Sequence, residues 1–178
     1  MCIRDSHGLG DIFVIVFFGL VATMGTFYVI TGQLSFAVLL LGLPLGLLAN
    51  NILVVNNYRD KETDETAGKR TLVVRLGRRF ARQQYGWQLA LAYLCVSAYV
   101  GINRSFWPLV TLVTIPVGAQ MIVELRSREG AGLNEHLAKS ARLLLMFSAL
   151  LALSLIHISE PTRRYAISYA VFCLKKKK

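Results

Sequence analysis

The residues with the clearest chemical content fall within one short stretch: Asn56, Arg59, Asp60, Asp64, Lys69 and Arg70. Asp60 and Asp64 are one helical turn apart and Asn56 lies one turn earlier. On a helix the three form a ridge, each rotated about 40° from the last. Carboxylates at i and i+4 repel, so the arrangement costs stability unless a cation sits between them. Mg²⁺ prefers oxygen ligands and commonly binds one or two carboxylates together with substrate phosphates, which makes Asp60, Asp64 and Asn56 candidate metal ligands. Gly68 lets the chain turn after a helix and delivers Lys69 and Arg70, both suited to a phosphate brought with the metal. Arg59, Arg75, Arg78, Arg79 and Arg82 add positive potential that would draw in a diphosphate. Arg78 to Arg82 serve equally well as anchors at a membrane edge.

The elements that must hold these residues are apolar and long. Runs of about 20 apolar residues can span a bilayer. Four complete runs are present: Ile12 to Ile30, Phe36 to Val55, about Gln84 to Val100, and Phe106 to Val123. A fifth starts near Ala141. The first two are apolar all round, as lipid-facing or bundle-buried helices are. The fold class expected is therefore an all-α membrane protein with about five transmembrane helices. The connection from Arg59 to Arg82 carries eight Lys or Arg residues and that from Arg126 to Arg142 carries four, whereas 31–35 carries none and 101–105 one. The positive-inside rule then places the Asp60/Asp64 loop in the cytoplasm.

Both ends of the chain have a technical origin in this reading. Met1-Cys2-Ile3-Arg4-Asp5-Ser6 is what the transposon mosaic end of a sequencing library encodes in frame. Leu153 to Arg163 reads as the same element in reverse complement, and the residues beyond as continuing adapter. Residues 1–6 and 153–178 are thus expected to be adapter-derived and 7–152 native, with the fifth helix cut at Ala152. Within Gly8 to Ala152 there are thirteen basic and eight acidic side chains, a net charge of +5 against +10 for the whole chain. The terminal lysines then give no reason to expect a nucleic-acid partner. Cys95 is left as a single thiol inside an apolar segment, which supports no disulfide framework.

Small and polar residues add detail. Gly42 and Gly46 flank Pro44 as a small-xxx-small pair, read as a helix contact; Pro116 and Gly118 are read similarly. Asn50 and Asn51 are expected to point into the chamber rimmed by Asn56 and Asp60, because polar groups in membrane helices face the bundle interior. Tyr85, Trp87, Tyr93, Tyr99, Phe106 and Trp107 are read as interfacial belt residues, and His136 as a solvated loop residue.

The stretch Asn56 to Gly77, Asn-Asn-Tyr-Arg-Asp-x-x-x-Asp-x-x-x-Gly-Lys-Arg-Thr-Leu-x-Val-Arg-Leu-Gly, resembles the second aspartate-rich motif of the UbiA-type intramembrane prenyltransferases. His7-Gly8-Leu9-Gly10-Asp11 and Gly42 to Ala49 are similar to the branch that acts on 1,4-dihydroxy-2-naphthoate in menaquinone biosynthesis. The resemblance implies the second part of a nine-helix bundle around a central cavity, in a bacterial plasma (inner) membrane. It implies Mg²⁺ held between two aspartate-rich loops, gripping a polyprenyl diphosphate whose allylic cation is attacked by an aromatic acceptor. Asp60 and Asp64 would be catalytic metal ligands with Asn56 in the same cluster, and Lys69, Arg59 and Arg70 would bind the diphosphate. Other acceptors, such as 4-hydroxybenzoate or homogentisate, and a non-enzymatic transporter or scaffold are the alternatives. The family's first aspartate-rich motif does not occur in these 178 residues, so the chain by itself is expected to be inactive.

Overall fold

A computed structural model describes residues 9–127 and 132–175, with side chains described through His157. Every described element is helical. Helix α1 (Gly10–Thr31), α2 (Phe36–Arg59), α4 (Leu72–Asn103), α5 (Trp107–Ser127) and α6 (Gly132–Lys175) are each long and apolar enough to cross a membrane. The short α3 (Lys61–Thr66) joins α2 to α4 at one end of the bundle. The protein is a multi-pass membrane protein.

Helix α1 winds as a π-helix from Ile15 to Gly25 and stops at Gly32, whose φ of 68° is left-handed. Helix α2 runs unbroken through Pro44. The two pack through their glycines. A Cβ on Gly46 would lie 2.6 Å from the carbonyl oxygen of Ile15 and 2.8 Å from Cα of Gly19, so the backbones touch there. The expected small-residue contact at Gly42 and Gly46 is present. Such closeness matters in a membrane, where helices associate by packing rather than by escape from water. Gly118 differs: a Cβ there would meet the Leu89 side chain at an ordinary 3.5 Å.

Helix α2 is the most buried of the spans. Its Leu48, Val54, Val55 and Tyr58 meet Val73, Ala81, Tyr85 and Leu89 of α4, and Leu143 and Phe147 of α6 complete the core. Thr71 caps α4, its Oγ1 accepting from the Val74 N–H at 3.3 Å. Gly77 interrupts that helix with φ 84°, ψ 169°, so a fresh helix begins at Arg78. Helix α5 opens as a 3₁₀ segment, Trp107–Thr114, with Pro108 in its first turn.

Several expectations are corrected here. The third and fifth spans start earlier than hydropathy suggested, at Leu72 and Gly132, because their first turns carry charge on one face and core residues on the other. His136 is consequently not solvated. It is fully buried on the inner face of α6, its ring 5.8 Å from that of Tyr85 and its Nδ1 4.0 Å from a Glu124 oxygen. Tyr85 is no belt residue either, being buried with its hydroxyl 3.1 Å from Ser140 Oγ, and Tyr99 is buried too. Trp87, Phe106 and Trp107 remain exposed. Asn50 and Asn51 diverge, since neighbours on a helix point about 100° apart. Asn50 donates to Asp11 Oδ1 at 3.0 Å, while Asn51 donates to the Tyr85 carbonyl at 3.4 Å and serves helix packing.

Candidate functional site

The acidic ridge survives with one bend. Asp60 takes φ −91°, ψ 10°, ending α2 and starting α3. The i→i+4 backbone bonds nonetheless continue through it: Asp60 N–H donates to Asn56 O at 3.0 Å and Asp64 N–H to Asp60 O at 2.8 Å. The bend separates the carboxylates by environment. The Asp60 side chain is 31% exposed and that of Asp64 only 7%.

Each carboxylate holds its own cation. The Arg59 guanidinium donates from Nε to Asp60 Oδ1 at 2.7 Å and from Nη2 to Asp60 Oδ2 at 2.8 Å. The same Nη2 donates to Asn56 Oδ1 at 2.9 Å, and Nη1 donates to Asn134 Oδ1 at 2.7 Å. Four oxygens from three helix segments therefore converge on one positive group. A two-pronged Arg–carboxylate pair of this kind is among the stronger hydrogen-bonded pairs. That bond, aided by the charges of Arg59 and Lys69, holds the Asp60 carboxyl below its usual value despite some burial.

Asp64 pairs instead with Lys69, Nζ to Oδ1 at 2.7 Å. The turn that permits this is the one the sequence suggested. Gly68 adopts φ 71°, its N–H donates to Glu65 O at 3.1 Å, and Lys69 N–H donates to Asp64 O at 2.9 Å. This left-handed reversal satisfies the last carbonyls of α3 and brings Lys69 back over its acidic end. Arg70 is exposed and is not drawn into the cluster. Arg78 reaches Glu62 at 2.9 Å and stacks 5.3 Å above the Tyr58 ring.

Two contributions escaped the sequence. Asn134 comes from the first turn of α6, 75 positions beyond Arg59, and only helix placement brings it in. Asp11 is a buried carboxylate at the start of α1, accepting from both Asn50 and Gln84, the latter at 2.7 Å. Its signal was an acidic residue just before an apolar run, paired in space with amides inside two others. Above Asn56 a recess of about 380 Å³ opens between α1, α2 and α6, lined by Val14, Phe18, Ala49, Ile52, Leu53, Leu137 and Leu144. It is apolar apart from Asn56 at its rim. An ionic end against a greasy channel suits an amphiphile with an anionic head.

Oxygen donors already gathered around a cation, with basic side chains beside them, fit a divalent metal and its phosphate. Among the described residues no three or more His, Cys, Asp or Glu side chains are grouped so as to hold a metal ion, so such a metal would take ligands beyond carboxylates.

Comparison with known proteins identifies the family. Residues 5–151 match the UbiA prenyltransferase family. The chain is similar to the 1,4-dihydroxy-2-naphthoate octaprenyltransferase of Haemophilus influenzae, 36% identical over 151 residues, covering 84% of this chain and 49% of that protein. It is 39% identical to the Escherichia coli protein of the same name over 111 residues, 62% of this chain and 36% of the relative. It is 32% identical over 139 residues to human UbiA prenyltransferase domain-containing protein 1, 78% of this chain and 41% of the relative. The chain thus spans about half or less of the length of these curated relatives. No solved structure matches significantly. By its family match and these identities, the chain belongs to the UbiA prenyltransferase family.

Proposed function

We propose that the protein to which this chain contributes transfers a polyprenyl group from its diphosphate to 1,4-dihydroxy-2-naphthoate, with Mg²⁺ as the divalent ion. The observation that carries the reading is the convergence of Asn56, Asp60 and Asn134 oxygens on one cation at the mouth of an apolar recess. The names of the bacterial relatives support the acceptor. The reading takes residues 7–152 as the native segment; the family match runs over residues 5–151 and so overlaps the expected adapter at residues 5 and 6.

In this reading Asp60 and Asp64, with Asn56, hold the metal, which when bound offsets charge on the diphosphate leaving group. Arg59 and Lys69 are held beside the carboxylates by ion pairs and exchange those partners for phosphate oxygens. Arg70, exposed and one residue on, adds a further positive group to the rim. The recess above Asn56 takes the isoprenoid chain and keeps water from the allylic cation. The positive loop lies in the cytoplasm, where the diphosphate is made available.

The test is product analysis with a full-length enzyme carrying this segment, offered dihydroxynaphthoate, 4-hydroxybenzoate and homogentisate in turn. Prenylated naphthoquinol formed with carbon dioxide release is the result expected. Turnover confined to either of the other acceptors would refute the assignment.

A further inference from the structure

Away from the aspartates, at the same end of the bundle, a recess of about 400 Å³ lies between α4 and α5 and is lined by Arg79, Arg82, Gln83 and Arg126. None of Asn56, Asp60, Asp64 or Lys69 lines it. Arg82 donates to the Tyr58 hydroxyl at 3.2 Å. Arg79 and Arg126 pair with no carboxylate among the described residues. Three guanidiniums around one hollow repel one another, and the exposed forks of Arg79 and Arg126 have no carboxylate partner among the described residues, which suits an anion with several oxygens. The Gly77 break reinforces it, because Arg79 then stands in the first turn of a new helix, where the backbone favours negative charge.

The hollow does not end at the arginines. Gln83 also lines a second recess of about 300 Å³ that climbs α4 past Phe80, Trp87 and Leu91. These positions recur at helical spacing and form one stripe facing outward, with Trp87 75% exposed. A basic cup that meets a mainly apolar groove at Gln83 matches a phosphate head carrying a hydrocarbon tail.

We propose that this cup and groove bind an anionic bilayer phospholipid, its phosphate among Arg79, Arg82 and Arg126 and an acyl chain along Phe80, Trp87 and Leu91. Basic pockets between membrane helices recognise anionic lipid heads in this way. A prenyl diphosphate carries the same chemistry. The phospholipid is favoured because Trp87 and Leu91 stand exposed on the described helices, within reach of a bilayer lipid, and because no aspartate lines either recess.

The experiment uses the whole chain with Trp107→Phe, which leaves Trp87 as the only tryptophan. It is reconstituted in phosphatidylcholine vesicles with increasing amounts of acyl-brominated phosphatidylglycerol or acyl-brominated phosphatidylcholine. Each basic residue near an anionic lipid surface contributes a factor of about five. Brominated phosphatidylglycerol is therefore expected to quench Trp87 at a mole fraction at least five-fold below that needed for brominated phosphatidylcholine. The double variant Arg79→Gln/Arg126→Gln is expected to lose that preference, with quenching by brominated phosphatidylcholine unchanged as evidence that the groove is intact. Equal quenching by the two lipids, or a preference that survives the double variant, would overturn the proposal. Relief of quenching by micromolar geranylgeranyl diphosphate would overturn it in favour of a prenyl diphosphate site, and relief by inorganic phosphate in favour of a free-anion site.

Discussion

At the scale of residues, the aspartates that look equivalent in sequence have become unequal. Asp60, in the bend between α2 and α3, shares a guanidinium with Asn56; Asp64 is buried against Lys69. The identity and spacing of these groups were legible in the chain, because i and i+4 placement follows from helix geometry alone. Which cation each would hold was not legible. That choice depends on the left-handed turn at Gly68 and on Asn134 arriving from α6. The depressed Asp60 carboxyl gives a signed expectation. A group whose folded value lies below its unfolded one contributes stability above the unfolded value, near 4, and loses it as pH falls through the lowered one. The difference in thermal stability between the protein and Asp60→Asn should therefore be constant from pH 7 to 5 and shrink only below about 4. A difference that closes already near pH 6 would mean that Arg59 does not hold Asp60 in the folded state.

At the scale of elements, α1 and α2 were readable to within a few residues, as uninterrupted apolar runs bounded by polar ones. The starts of α4 and α6 were not. Their first turns mix arginines or glutamates with core residues such as Val73, Ala81, Leu133 and His136, and an apolar-run criterion discards such turns. The same trimming turned a fully buried histidine into a loop residue. The glycine contact was visible as a pattern, and the structure adds which glycines bear it. Gly46→Ala should destabilise the α1–α2 pair by on the order of 3 kcal/mol, since the new methyl meets backbone that cannot rotate away. Gly25→Ala, with nothing within 4 Å of its Cβ, should be neutral or slightly stabilising. Thermal unfolding in a single detergent compares them; equal effects would mean that α1 does not pack on α2 at Gly19.

At the scale of the whole molecule, α2 is the axis. It carries Asn56 at its end, Asn50 against Asp11 in its middle and the glycine seam beyond, and it touches α1, α4 and α6. The all-helical membrane class was legible because five apolar runs leave few other solutions, whereas the pairing of helices depends on side-chain shape distributed over the chain. We propose the orientation that the asymmetry of basic residues between alternate loops favours, with the aspartate loop in the cytoplasm. In a cysteine-free background, a cysteine at Glu65 should react with an impermeant maleimide only after the cells are opened, and one at Gln33 in intact cells. The reverse pattern would put the aspartates on the outer side and remove their access to a cytoplasmic diphosphate.

The central claim is that Asp60 and Asp64 serve a divalent ion during prenyl transfer. It is tested most directly by the rate of a full-length enzyme carrying this segment, measured against Mg²⁺ concentration for the native sequence, Asp60→Asn and Asp64→Asn. Both variants are expected to need Mg²⁺ at roughly ten-fold or more the native concentration for half-maximal rate, since losing even a residue that only supports a metal ligand costs about 10–100-fold in affinity. Rates that keep the native Mg²⁺ dependence in both variants would contradict the claim.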